Sequence, residues 1–452
     1  MSEREGRRLR DSSMFKLLTL GGLILVLLIP LTMVRSLIAE RESRRTQAVE
    51  HVAESWGASQ TLGGPVLTIP FRTSKYSRAD AKFLPETLNI EARLFPERRS
   101  RGIFEAVLYR AHLKVTGTFR PDFAAWSAQP KDALWDEAGL AIGLTDLRGV
   151  RRAGDFLWQG QALKLTPSGS EPGLWDSGLR TGAAGLSAAT KEAAFAFELD
   201  IDGSGNLWFQ PSGKQTTVTV SSPWPDPSFS GSFLPESHRV GPDGFTARWS
   251  VSYFGRTYPQ QWCAEGEGRP AENVVRSSEF GLSLFLAADS YQMTERAQKY
   301  AVLFLLLTFI TFFLYELWSP VAIDPVQQLL VGAALCIFYL LLLSISEHLP
   351  FGPSYAIAAA ATILLITGYA MAILGGRARA LLLGLILAVL YGFLYVLLQA
   401  EDYALLLGTI GLFAILALVM YLTRRVNWRN TREKPVAPPA PAQEPPGGRE
   451  RL

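Results

Sequence analysis

Ser344, Glu347 and His348 close the stretch LLLLSISEHLPFG (residues 340–352), where an apolar run gives way to polar side chains and then to Pro350 and Gly352. On a helix, Ser344 lies one turn from both Glu347 and His348, the spacing at which side chains meet. Ser, His and Glu are the groups of nucleophilic hydrolysis, and a histidine in such a place is also a switch near neutral pH. Other charged residues hold comparable positions. Glu295, Arg296 and Lys299 precede one apolar run, and Glu401 and Asp402 join the last two. The plainer account of all eight residues is a polar collar, which requires only that charge prefers the water interface to hydrocarbon. We take the collar as the candidate functional feature and assign no catalytic residues.

The rest of the chain supplies no competing chemistry. It contains no HExxH helix, no GxSxG elbow and no complete phosphate loop. GSGN (203–206) and PSGK (211–214) carry phosphate-loop letters but read as turns between alternating segments. The histidines His51, His112, His238 and His348 are scattered. Cys336 sits in an apolar run and Cys263 in the polar middle, so neither a disulfide nor a zinc site is expected. No cofactor is implied. The charged turn Asp146-Leu147-Arg148-Gly149 is best satisfied by internal pairing. A net charge of +3, with basic residues beside apolar runs, points away from nucleic acid and toward membrane orientation.

The elements that would position the collar are membrane helices. Residues 17–34 are long enough to cross a hydrocarbon core of ~30 Å. Basic residues from Arg4 to Lys16 precede them, and the following VRSLIAERESRR offers no convincing cleavage site, so an uncleaved anchor is expected. Five more spans follow, at 300–318, 327–346, 354–374, 380–399 and 403–422. With a cytoplasmic N-terminus, GGRARA (375–380) and TRRVNWRNTREK (423–434) fall inside, while SEHLPFGPS (346–354) and QAEDYA (399–404) fall outside. That distribution fits six spans and the positive-inside tendency. The resulting organisation is a basic cytoplasmic N-terminus (1–16), an anchor helix (17–38), a periplasmic domain (39–298), a five-helix bundle (299–422) and a Pro-rich, disordered cytoplasmic tail (423–452). The span middles lack Asp, Glu, Lys, Arg and His, and Glu316 lies near a helix end. This argues against an ion-coupled transporter, although a lipid groove needs no midplane charge.

Residues 39–56 read as a charged helix, and period-two patterning dominates thereafter. FAFELDIDGSGNLWFQ (195–210) alternates apolar with polar residues and turns at GSGN as a hairpin would. LNIEARLF (88–95), FEAVLYRAHLKVTGTF (104–119) and the GPDG turn (241–244) extend the pattern, giving an all-β-rich, sandwich-like domain inserted between the first and second spans. FLPE occurs at Phe83–Glu86 and again at Phe233–Glu236, an echo that fits either a duplicated unit or shared turn chemistry. Nine of the eleven tryptophans lie here. Core packing accounts for them simply, and a ligand or glycan platform is the functional alternative.

LLIPLTMVRSLIAER (27–41), LGGPVLTIP (62–70), FLPETLNI (83–90), PWPDPSFSGSFLPE (223–236), DSYQMTERAQKYAVLFLLLTFITFF (289–313) and PVQQLLVGAALCIFYLLLLSISEH (325–348) occur in this order. Together they resemble the CreD family of bacterial inner-membrane, cell-envelope-integrity proteins. The resemblance implies a multi-pass inner-membrane protein with one large periplasmic domain. It further implies a role in envelope stress, within the regulon of the Cre two-component system, and in responses to colicins and β-lactams. It carries no catalytic residues. The function expected is non-enzymatic: a membrane anchor whose periplasmic domain binds or stabilises an envelope component. Partners would be the lipid bilayer, an envelope lipid or other envelope proteins, with no oligomeric state implied. The alternative is handling of lipid or another hydrophobic ligand between the bundle and the β domain.

Overall fold

The computed structural model describes residues 13–424 apart from 75–76, 123–131, 265–268, 285–289, 319–322, 374–375 and 401–402. The first basic residues, the Pro-rich tail, Trp126, Glu401 and Asp402 therefore lie outside the described residues. The chain forms two compact units, Met1–Glu40 with Ser290–Leu452, and Arg41–Asp289.

The first helix, α1 (Ser13–Trp56), runs unbroken for 44 residues through Pro30. The helices of the first unit continue as α3 (Ser290–Lys299), α4 (Ala301–Trp318), α5 (Pro325–Ser346), α6 (Phe351–Ile373), α7 (Arg377–Gln399) and α8 (Ala404–Thr423). Among the described residues four helices, α1, α5, α6 and α7, are long and apolar enough to cross a membrane. The pair α3–α4, bent by 42°, makes a fifth if it forms one span. The last expected span falls on α8, whose apolar stretch Leu406–Tyr421 is shorter.

Local chemistry sets these boundaries. Asp324 caps α5 by accepting from the Val326 amide at 3.0 Å, while Gln327 Oε1 accepts from the Asp324 amide at 3.2 Å. With Pro325 as the first helical residue, this is a complete capping box. Small residues let helices approach: a Cβ at Gly332 would meet Leu27 at 2.2 Å, and one at Gly384 would meet Thr367 at 2.5 Å. Between α5, α6 and α7, Phe338 packs on Tyr391 at 4.6 Å and on Tyr355 at 5.6 Å, and the Tyr355 hydroxyl donates to the Tyr391 carbonyl at 2.7 Å.

Among the described residues, the second unit is built on two nine-stranded sheets. Sheet one holds β1 (Gln60–Arg72), β2 (Arg78–Phe83), β5 (Gly139–Leu144), β9 (Thr166–Ser168) and β10 (Gly178–Gly182). It also holds β12 (Asn206–Phe209), β14 (Pro227–Gly231), β17 (Gln261–Cys263) and β18 (Phe280–Leu284). Its order is β14-β18-β12-β1-β5-β10-β9, with β2 and β17 branching from β1. Sheet two holds β3 (Thr87–Arg101), β4 (Phe104–Phe119), β6 (Val150–Ala153), β7 (Phe156–Trp158) and β8 (Gln161–Leu163). Its remaining strands are β11 (Ala193–Ser204), β13 (Gln215–Ser222), β15 (Ser237–Gly241) and β16 (Gly244–Ser252). The order here is β15-β16-β13-β3-β4-β11-β7-β8, with β6 on β11. A short helix, α2 (Glu272–Arg276), precedes β18.

Alternation fills one core from both sheets. Leu88, Ile90, Ala92 and Leu94 of β3 face inward, as do Phe195, Phe197, Leu199 and Ile201 of β11. Rings bridge the layers: Phe229 of sheet one meets Phe245 and Trp249 of sheet two at 5.8 and 5.6 Å. GPDG closes the β15–β16 hairpin. GSGN does not close one, because β11 pairs with β4 in sheet two while β12 pairs with β1 and β18 in sheet one. Gly205, at φ +64°, turns the chain from one sheet to the other. PSGK likewise leads from β12 back to β13. The two FLPE segments have unlike surroundings, since Leu84 is buried whereas Leu234 is 72% exposed.

The part of α1 from Arg41 to Trp56 belongs to this second unit. Trp56 lies under the guanidinium groups of Arg99 and Arg151, at 4.4 and 5.2 Å. Buried Gln60 donates to the Asp146 and Asp202 carbonyls at 2.9 and 3.2 Å and accepts from the Asp146 amide at 3.2 Å. The turn 146–149 pairs internally, Arg148 donating to both Asp146 oxygens at 3.0 Å. Burial pushes the Asp146 carboxyl upward, but the hydrogen bonds from Arg148 and the Ala58 amide hold it below the usual carboxylate range.

Candidate functional site

The rim residues separate into two described groups. On α3, Glu295 and Lys299 pair along the helix at 3.2 Å, and Arg296 is half-buried. At the end of α5, Ser344 and His348 are exposed and Glu347 is half-buried. Tyr291 of α3 donates to Glu347 Oε1 at 3.3 Å, so the structure does bring these two segments together. His348 Nδ1 lies 3.2 Å from the Ser344 carbonyl oxygen. A carbonyl only accepts, so this nitrogen carries the proton and does not face the Ser344 hydroxyl as a base would. Glu401 and Asp402, the remaining collar candidates, lie outside the described residues.

A different site is built on the β unit. A cavity of about 290 Å³ opens on the face of sheet one opposite the core. Strand alternation makes it: Leu62, Leu207 and Phe209 point to the core, while Thr61, Gly63, Trp208 and Gln210 point the other way. Parallel pairing of β1 with β12 sets Thr61 beside Trp208, and antiparallel pairing of β1 with β5 sets Gly63 beside Gly143. Gly178 of β10 is the next partner of Gly143, so three glycines form a stripe across adjacent strands.

Trp175 lies on that stripe. A Cβ would stand 3.0 Å from its ring at Gly63, 2.4 Å at Gly143 and 3.1 Å at Gly178. The turn carrying Trp175 is held by main-chain hydrogen bonds between Glu171 and Trp175 and by Gly173 at φ +82°. Beneath it, Lys82 pairs with Glu171 at 2.7 Å, both side chains largely buried, and donates to Thr68 Oγ1 at 2.9 Å.

Polar groups complete the walls. Gln210 Nε2 donates to Glu279 Oε1 at 3.0 Å. Burial pushes the Glu279 carboxyl up, against the opposing pull of Gln210 and the charge of Arg276. Arg276 of α2 is itself held by Glu272 at 2.7 Å and by Asp176 at 3.7 Å. Hydropathy and motif reading miss this site because its residues come from separated segments. The legible signal is glycine within strand patterns, Gly63, Gly143 and Gly178, which marks a close approach to the backbone. The tryptophans accordingly divide: Trp158 and Trp249 are core, whereas Trp175 and Trp208 line the cavity.

In the helical unit, α4, α7 and α8 enclose a groove of about 790 Å³ lined chiefly by Leu, Ile, Val and Phe. One end carries Arg379, whose guanidinium donates to the Tyr315 hydroxyl at 3.1 Å. Among the described residues, no group of three or more His, Cys, Asp or Glu side chains is arranged to hold a metal ion.

The family model described as inner membrane protein CreD matches residues 12–429. The inner membrane protein CreD of Escherichia coli strain K12 is 32% identical over 438 residues, covering 93% of this chain and 94% of that protein. The chain belongs to the CreD family. It is accordingly an inner-membrane protein, embedded through several apolar helices and carrying a large β-sheet unit. The CreD match runs through both units and so includes the cavity and the rim alike. Solved structures with some likeness include an M1 zinc metallopeptidase from Deinococcus radiodurans, at 10% identity and TM-score 0.20 over 78% of this chain and 95% of that one. A two-domain M1 zinc metallopeptidase bound to L-tryptophan gives 10% identity and TM-score 0.22 over 80% and 98%. At TM-scores this low neither likeness bears on the fold or chemistry of this CreD-family chain.

Proposed function

We propose that this protein is a non-enzymatic, six-span anchor of the inner membrane whose β unit faces the periplasm and binds an envelope component. In this way it sustains envelope integrity under stress, including exposure to colicins and β-lactams. Both termini lie in the cytoplasm, with basic loops inside and acidic loops outside. The observation that carries the reading is the cavity lined by Trp175, Trp208, Gln210 and Glu279. Aromatic walls with a few convergent polar groups are the makeup of small-ligand sites.

Site-specific photocrosslinking in living cells tests it. A photoreactive residue at Asp176, on the cavity rim, should capture an envelope component that a probe at Gly241, on the β15–β16 hairpin of sheet two, does not. Equal capture from both positions overturns the reading. A second reading, handling of lipid or another hydrophobic ligand, is favoured by the apolar groove between α4, α7 and α8. Native mass spectrometry of gently extracted protein should then show a retained lipid enriched over the bulk membrane, and absence of enrichment removes this reading.

A further inference from the structure

We infer that the cavity on sheet one is a saccharide site, taking an uncharged pyranose ring against Trp175 and Trp208. The inference rests on the reading of the β unit as a binding domain and names the ligand class of that site.

Five observations carry it. The cavity has two indole walls, Trp175 seated on the glycine stripe and Trp208 on β12. Their flat apolar surfaces match a ring that presents C–H groups on a face and hydroxyls around its rim, the amphipathic pairing that Trp suits. Polar groups of both kinds line the cavity with the indoles: Gln210 bonded to Glu279, Ser177 bonded to the Leu144 carbonyl, and Thr61 and Thr145. Hydroxyls donate and accept, so a sugar can add hydrogen bonds to both kinds of group, which a purely aromatic ligand cannot.

Charge excludes anionic ligands. The cation at the cavity, Arg276, already sits against Glu272 and Asp176, and Glu279 adds a further acid. A phosphate or carboxylate would meet carboxylates with the guanidinium engaged. Position excludes an added peptide strand. The floor is β12-β1-β5, flanked by β18 and β10, so no strand edge is open there for main-chain pairing. Finally, about 290 Å³ is at the small end of the roughly 300–1,000 Å³ range of ligand pockets. That suits one ring or a short oligomer.

Full-length protein in lipid nanodiscs, free of sugar-headed detergent, should be titrated with glucose, N-acetylglucosamine and its β-1,4-linked dimer. Saturation-transfer NMR should report saturable binding of at least one. Trp208→Ala should weaken it at least about tenfold, the equivalent of removing one good contact. Asp176→Ala, at a side chain that is 80% exposed, should weaken it about threefold and decides the matter if Trp208→Ala unfolds. Absence of saturable binding by all three sugars, binding unchanged in the folded variants, or competition by inorganic phosphate overturns the assignment. Rim-specific crosslinks that persist without saccharide binding sink the ligand class alone. Saccharide binding without such crosslinks leaves the site and removes the envelope partner.

Discussion

Gly143 and Trp175 are in contact so close that a single added methyl group would stand 2.4 Å from indole Cδ2. The glycine lies near the end of β5, between Gly63 and Gly178 on the neighbouring strands. A side chain there forces the ring off its shelf, because the obstacle is a rigid indole and not the end of a flexible chain. Gly143→Ala should therefore cost about 1–3 kcal/mol, the usual penalty of overpacking. Thermal unfolding of the β unit, followed by tryptophan fluorescence, reads the loss. An unchanged midpoint would show that Trp175 is not held this way.

Lys82 and Glu171 form the largely buried pair beneath the same turn. Lys82→Ala leaves the Glu171 carboxylate without its cation and should destabilise by about 3–5 kcal/mol. The double variant Lys82→Met with Glu171→Leu should recover most of the loss, since a hydrophobic replacement of a buried pair is near neutral. If the double variant is as unstable as the single one, the cost comes from packing and not from an unpaired charge.

The Glu279 carboxyl is raised by burial against the pull of Gln210 and Arg276, and it stands near Tyr258, whose own hydroxyl burial also raises. Because the folded form holds its proton more tightly than the unfolded chain, protonation favours folding. The contribution is present in full below the ordinary value of 4.5 and is lost as pH climbs through the raised folded value. Glu279→Gln lacks this titration. Between about pH 4 and pH 8 the parent's melting temperature should fall relative to the variant's. Parallel curves would refute the assignment.

Ser344 and His348 are exposed, and their contact runs through a main-chain carbonyl. Ser344→Ala and His348→Ala should each change stability by less than about 0.5 kcal/mol and leave envelope resistance to detergent and β-lactam intact in a deletion background. Loss of resistance in either variant, at normal protein level, would restore a chemical role to the rim.

The proposed orientation is checked by labelling. In a background lacking Cys263 and Cys336, a single cysteine at Gly102, the tip of the β3–β4 hairpin, should react with an impermeant maleimide once the outer membrane is opened. A cysteine at Ala437 in the tail should react only after the inner membrane is disrupted. The reverse pattern would invert the topology.

Much of the architecture is legible along the chain because its signals are local. Hydropathy marks α1, α5, α6 and α7 directly, and Phe195, Phe197, Leu199 and Ile201 display the two-residue period of a half-buried strand. What alternation leaves open is the partner of each strand. The run through GSGN looks like a hairpin, yet its two arms enter different sheets, because β12 completes sheet one only by lying parallel to β1, well over a hundred residues earlier. The cavity inherits that difficulty. Thr61, Gly143, Trp208 and Glu279 become neighbours only through the order of the strands, whereas Ser344, Glu347 and His348 stand together in the sequence and draw attention without converging on a cavity.

The placement of β18 has a consequence for synthesis. This strand, the last of the β unit to leave the ribosome, inserts between β14 and β12, while β1, among the first, already occupies the middle of the same sheet. Until Phe280–Leu284 is made, β12 and β14 each lack a neighbour and present open edges of the kind that pair with the wrong chain. Sheet one is therefore complete only once Phe280–Leu284, the segment just before the membrane helices resume, has been translated.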